Sequence, residues 1–299
     1  MTTLYTHKDT NIRKTWLLIT MSLVLVIFLG WVLSLYFNSQ AILYFAVGFS
    51  IIMNVVAYWY SDKIALATTG ASPIKPEENP YLYKIIENLT ITAGLPMPRV
   101  YIIHSNQINA FATGRDPQHA AIAVTEGALS KLQNEELEGV IAHEMSHIGN
   151  RDILVSTVII VIAGVISILS DIFLRATFWG GHGRDNDRGG NALIAALALI
   201  AAILAPIAAM LIQLAVSRKR EFLADVSGAL LTRFPDGLAN ALEKISHDES
   251  PMPRAKNSVA HLFISNPFKG KQGHSWFTKL FMTHPPLEER IKILRGMKI

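Results

Sequence analysis

Three residues in the stretch "LEGVIAHEMSHIGN" carry reactive side chains at a telling spacing: His143, Glu144 and His147, in the order H-E-x-x-H. On a helix, two histidines four residues apart share one face, where both imidazoles can reach a single Zn²⁺. Glu144 then stands where a general base toward water is needed, which is the arrangement of a metal-assisted hydrolysis. The competing reading is two histidines on a helix surface. A hydrolytic zinc takes a third protein ligand and keeps one position open. In "SRKREFLADVSGALL", Glu221 and Asp225 repeat the four-residue spacing. Glu221 is the candidate third ligand, and Asp225 is the candidate acceptor that fixes the tautomer of a ligand imidazole. Taken alone, the two carboxylates are a solvated charge pattern beside Arg218 and Arg220. The chain has no cysteine, so any metal must be held by His, Asp or Glu.

The two halves of this constellation lie far apart in sequence, and apolar segments between and before them set how they meet. Four stretches reach the roughly 20 residues that a helix needs to cross a bilayer: Trp16 to Phe37, Ala41 to Tyr60, Ile153 to Leu174 and Ala192 to Val216. Charged residues make up only 17% of the chain and hydrophobic ones 51%, where soluble proteins carry about 25% charged residues. Much of the chain is therefore expected to face lipid. Only Asn38, Ser39 and Gln40 separate the first two stretches, which read as a helical hairpin rather than a cleaved signal. Trp16, Trp31, Tyr36, Tyr58, Trp59 and Tyr60 lie toward their ends, where amphipathic rings favour the interface. Asp171 interrupts the third stretch, and Pro206 with Gln213 the fourth, so the alternative for these is an apolar hairpin packed inside the soluble part.

If all four stretches span, the N-terminus and residues 61–152 and 217–299 share one side. The motif just before the third stretch and Glu221 just after the fourth then meet on that side. Of the 27 Lys and Arg residues, only Arg175, Arg184 and Arg188 fall on the other side. The positive-inside rule makes the rich side cytoplasmic. The expected organisation is a membrane hairpin over 1–60, a catalytic part over 61–152, a second apolar hairpin over 153–216 and a second catalytic part over 217–299. Net charge of +4 does not imply nucleic acid, because the basic residues form no cluster with base-reading motifs. The loop "GGHGRDNDRGGN" lacks the GK[ST] ending of a phosphate loop and reads as a connection.

Ahead of the motif the pattern is that of a globular α+β unit. Asn79 caps a helix beginning at Pro80, with Leu82, Ile85, Ile86 and Leu89 as its apolar face and Gly94 as its stop. "RVYII", "NAFAT" and "AAIAVT" read as three strands of a small sheet. Asn109 to Thr113 and Ala120 to Thr125 are candidate edge strands able to pair with an extended peptide; core strands are the equal alternative. Asn134 with Glu135 and Glu136 marks the start of the motif helix.

Taken together, the N-terminal hairpin, "NAFATG", "HEMSHIGNRD", "REFLADVSGA" and "THPPLEERI" resemble the HtpX group of membrane metalloproteases, related to the Ste24-type CAAX prenyl proteases. The likeness runs over almost the whole chain. It implies a mostly helical, gluzincin-like protease domain with a small sheet and one Zn²⁺ per chain. It also implies cytoplasmic proteolysis in quality control of damaged or misfolded membrane proteins, at the cell (inner) membrane under stress. Carried over by position, the metal ligands fall on His143, His147 and Glu221, with Glu144 as the base. In such relatives a histidine like His284 lies near the zinc, which makes it a candidate oxyanion donor; a helix-capping histidine is the alternative. Arg290 is expected to pair with a carboxylate that the sequence does not name. The other histidines, His7, His104, His119, His182, His247, His261 and His274, lack ligand spacing. A function of another class, a membrane zinc transporter or zinc-binding scaffold, would use the same ligands but would have no need of Glu144.

Overall fold

Uninterrupted apolar sequence gives two long helices, α1 (Leu4–Tyr36) and α2 (Gln40–Trp59). Both are long and apolar enough to cross a bilayer, over Thr10–Trp31 and Gln40–Trp59. They lie close because Gly30 has no side chain: a Cβ there would stand 2.1 Å from the Ala46 Cβ, the small-residue contact that lets membrane helices approach. Ser22 Oγ donates to Asn54 Oδ1 at 2.8 Å across the pair. Trp16, Phe28, Trp31, Phe45, Ile52 and Trp59 face outward, exposed, as a lipid-facing surface requires.

The chain is described here from a computed structural model over residues 4–36, 38–159, 161, 162, 166, 200, 218–252, 259, 262–265, 267 and 285–298. Among the described residues two helices, not four, pass as spans. Most of the third and fourth apolar stretches, with Asp171, Pro206, Gln213 and the loop 180–191, lie outside them. So does His284. The start of the third stretch is helical, and Leu154, Val158, Ile162 and Ile166 pack with Ile200 against Ile19, Leu25, Leu29 and Tyr58 of the first hairpin.

After the hairpin come α3 (Ser61–Thr69), β1 (Ala71–Pro73), α4 (Pro80–Ala93), β2 (Arg99–Ile103), β3 (Ala110–Thr113), β4 (Ala121–Thr125), α5 (Glu126–Lys131) and α6 (Asn134–Gly149). Beyond the second apolar region lie α7 (Arg218–Thr232), α8 (Pro235–His247) and α9 (Leu287–Arg295). The α4 expectation holds at both ends: the Asn79 side chain accepts from Leu82 N, and Gly94 takes the left-handed conformation. The sheet order is β1-β2-β4-β3, with β2 and β4 parallel and the other pairs antiparallel. This corrects one expectation: β3 is an edge strand, but β4 (Ala121–Thr125) is interior, paired on both sides. Its five residues are all buried, and a strand covered on both faces shows no alternation from which an edge can be read. The three-residue β1 was not anticipated, since it ends on Pro73 and is too short to show a period.

One sheet face, with Val100, Ile122 and Val124, packs on Leu82 and Ile86 of α4, Leu137, Ile141 and Met145 of α6, and Leu238 and Leu242 of α8. The other face carries Phe111, Ala121 and Ala123 against Leu66 and Phe263. The motif helix α6 therefore lies in the middle of the core, with the sheet on one side and α7 and α8 on others. At the α7 crossing, a Cβ on Gly228 would stand 2.9 Å from His143 N. Glycine there lets α7 approach α6 at the level of the first histidine.

Candidate metal centre

The N-terminus of α6 is set by Gln133 and Glu136 rather than by Asn134: Gln133 N donates to Glu136 Oε2 at 2.7 Å. From there the helix carries His143, Glu144 and His147 into the interior, with His143 and Glu144 fully buried and His147 half-buried. α7 brings Glu221 and Asp225 to the same place, both buried. His143 Nε2 and His147 Nε2 are 3.2 Å apart, and Glu221 approaches them at 3.8 and 3.6 Å. Three ligand atoms placed tetrahedrally at about 2.0–2.1 Å from one ion stand roughly 3.3 Å from each other. The three side chains are thus spaced to hold one ion.

The other ring nitrogens are committed elsewhere, which leaves Nε2 of each histidine for a metal. His143 Nδ1 meets Asp225 Oδ1 at 2.9 Å, and His147 Nδ1 meets Asp152 Oδ2 at 3.0 Å. A carboxylate on Nδ1 fixes the tautomer and the ring plane and raises the basicity of a ligand imidazole. Glu144 stands beside this cluster, where its Oε2 accepts from Ala112 N of the edge strand β3 at 2.8 Å. The Glu144 carboxyl, the two imidazoles and the β3 edge thus adjoin one another.

Comparison with known proteins gives the chain its family. The peptidase family M48 profile matches residues 76–298, three quarters of the chain and the whole of the motif region. The chain belongs to peptidase family M48. A "Protease HtpX homolog" of Caldanaerobacter subterraneus subsp. tengcongensis is 47% identical over 302 residues, covering 99% of each chain. One from Thermoanaerobacter pseudethanolicus is 47% identical over 300 residues, covering 99% of this chain and 98% of the relative. The crystal structure of S. mikatae Ste24p shares the fold at a TM-score of 0.50 and 18% identity, over 94% of this chain and 66% of that one. Family, relatives and the apolar helices make this a membrane metalloprotease.

Within the M48 chain, Arg290 of α9 finds the carboxylate that its sequence left unnamed. Fully buried, it grips Asp225 with two donors, Nε to Oδ2 at 2.8 Å and Nη2 to Oδ1 at 2.6 Å. Such a bidentate pair fixes the carboxylate plane. Burial alone would raise Asp225, but Arg290 and His143 outweigh it and hold the carboxyl down at about 2. Burial also lowers His143, and the nearby Arg290 and His147 charges add to that against the pull of Asp225. His147 behaves oppositely: burial works against its charged form, yet Asp152, Glu221 and Glu144 push it up to about 9. Burial raises Glu144 to about 8. A divalent cation held between the ligands would reverse the last two, favouring neutral imidazole and ionised carboxylate.

Sequence reading missed Asp152. It stands five residues after His147, past the end of α6, where a helical spacing no longer applies. A turn brings it back, through Arg151 with φ of 57°. The signal available in "HIGNRD" was an acidic residue placed just beyond the motif helix. The Ala112 amide was out of reach of any sequence argument, because a backbone donor carries no residue signature.

Proposed function

We propose that the chain is a zinc-dependent endopeptidase of the cell (inner) membrane, with its catalytic part on the cytoplasmic side and damaged or misfolded membrane proteins as substrates. The observation that carries this reading is the convergence of His143, His147 and Glu221 on one point, with buried Glu144 beside them against β3. His143 and His147, through Nε2, and Glu221 would hold one zinc ion per chain. When bound, the ion supplies Lewis acidity, acidifying water and polarising a carbonyl. Asp225 and Asp152 hold the two imidazoles in the tautomer that leaves Nε2 unprotonated. Glu144, steadied by the Ala112 N–H, takes a proton from the attacking water and delivers it to the leaving amine.

Strand β3 offers extended backbone to a peptide beside these groups. Its edge is partly engaged already: Ala110 O accepts from Ile264 N at 3.1 Å, and Ala112 N serves Glu144. A substrate strand therefore pairs at the remaining groups or displaces Ile264. The cytoplasmic placement rests on the Lys and Arg distribution, and the choice of substrates on the likeness to the HtpX group. A zinc carrier would need the three ligands but not a buried carboxyl pinned beside them, which favours hydrolysis.

Purified protein should cleave casein, and a chelator should stop the cleavage. Glu144→Gln should lower turnover by about 10²–10⁴-fold, the share of general acid–base catalysis, with zinc still bound; near-normal turnover would remove Glu144 from the reaction and revive the carrier reading. Reporter fusions after Gly70, Ser130 and Ile299 should report the cytoplasm. An exterior report after Ser130 would overturn the orientation.

A further inference from the structure

Asn11 lies in α1, at the start of its apolar span, and is only 3% exposed. A buried amide is costly unless its hydrogens are bonded. Here Nδ2 donates to Asn150 O at 3.1 Å and to Asp152 Oδ1 at 2.7 Å. Both partners are acceptors, so both amide hydrogens are used. The two partners flank Arg151, a non-glycine residue in the left-handed region, a conformation that is unfavourable for an L-residue and needs support from its surroundings. Asn11 therefore clasps the turn by which the chain leaves α6 on both of its sides.

What the turn delivers is Asp152, whose other oxygen meets His147 Nδ1. With Oδ1 held by Asn11 and Oδ2 facing the imidazole, the carboxylate plane is fixed from two directions. Arg220 Nε also approaches Oδ1, at 3.7 Å, too far for a hydrogen bond, so the short contact is that of Asn11. The family match begins at residue 76 and assigns nothing to α1. We propose that Asn11 is a positioning residue of the metal centre, gripping Asp152 so that Asp152 orients His147, which makes α1 of the N-terminal hairpin part of the site. This rests on the zinc reading given above. A residue that merely anchored α1 to the catalytic part could be replaced by a side chain of similar shape, and its loss would not depend on Asp152.

The test is a double-mutant cycle on the full-length protein in detergent, read as zinc affinity by chelator competition and as the visible spectrum of the cobalt-substituted centre. Asn11→Leu keeps the branched heavy-atom skeleton and removes the donors; Asn11→Ala is the second variant should the first not fold, judged by cooperative melting of the metal-free protein. Losing a carboxylate partner of a ligand histidine weakens metal binding by about 10–100-fold, so Asp152→Ala should do so. Asn11→Leu should weaken it by roughly 3–10-fold, as a weaker form of the same loss, and should shift the cobalt spectrum. In the Asp152→Ala background Asn11→Leu should have no further effect, the non-additivity expected of coupled residues. Unchanged zinc affinity in Asn11→Leu, or the same loss in both backgrounds, would overturn the proposal. Wild-type protein that binds no equivalent of zinc would instead overturn the zinc reading, so the two failures are distinguishable.

Discussion

His143 and His147 sit one helical turn apart and are oriented by the same device, a carboxylate on Nδ1, yet the two carboxylates come from different parts of the molecule. Asp225 reaches His143 from α7 and is itself held by Arg290 of α9. Asp152 reaches His147 from the turn at the end of the same helix, held by Asn11 of α1. The difference shows in charge. Burial lowers His143, with the Arg290 cation behind Asp225 adding to it, and that same cation holds the Asp225 carboxylate ionised. His147 faces Asp152, Glu221 and Glu144, and it is raised to about 9. One imidazole is ready for a metal at neutral pH; the other must first release a proton. The device fixes geometry on both sides, while the surrounding charges decide how each side responds to pH.

The largest effect should come from Glu221, which touches both sides. Glu221→Ala leaves two imidazoles, which hold zinc poorly, so the protein should be largely metal-free and inactive by mass spectrometry and casein cleavage. A full equivalent of metal in that variant would move the third ligand elsewhere, with His284 next to be tried. Next in size is a change confined to the His143 side. Arg290→Met strands the buried Asp225 charge, and breaking a buried ion pair from one end costs about 3–5 kcal/mol. Thermal unfolding of the metal-free protein should therefore shift far down. A melting point near wild type would show that Asp225 needs no cation behind it.

The two carboxylates sharpen the comparison further. Asp225→Ala and Asp152→Ala should each cost about 10–100-fold in zinc affinity. Only Asp225→Ala should also lower the melting point strongly, because it takes from the buried Arg290 its bidentate carboxylate and leaves Glu221 at 4.0 Å as its nearest ion-pair partner. Equal destabilisation by both would erase the asymmetry. Smallest is the pH response. His147 and Glu144 both have folded values raised above their unfolded ones, to about 9 and about 8. A raised value means that the folded metal-free protein binds more protons than the unfolded chain, so its stability falls as pH rises. For His147 that contribution is whole below the unfolded value near 6.5 and gone above about 9. Melting of the metal-free protein at pH 6, 7.5 and 9 should fall stepwise, while zinc affinity climbs over the same window. Flat melting would mean that neither His147 nor Glu144 holds its extra proton in the folded, metal-free protein.

Much of the candidate site was legible before any fold was known. The H-E-x-x-H spacing and the second acidic pair depend on local helical periodicity alone, which two residues four apart reveal wherever the helix lies. The hairpin of α1 and α2 was legible for a similar reason, since burial in lipid demands a long unbroken apolar run. The α4 caps were local too. Tertiary structure decided what spacing cannot carry: that β4 is interior and β3 the edge, that Arg290 belongs to Asp225, and that Ala112 N steadies Glu144. It also decided that Asn11 and Asp152 close around the turn behind His147. Each of these joins groups far apart in sequence, or joins them through backbone atoms common to every residue. A chain's composition and periodicity fix which side chains a helix presents, but which carboxylate meets which imidazole is settled only when helices pack.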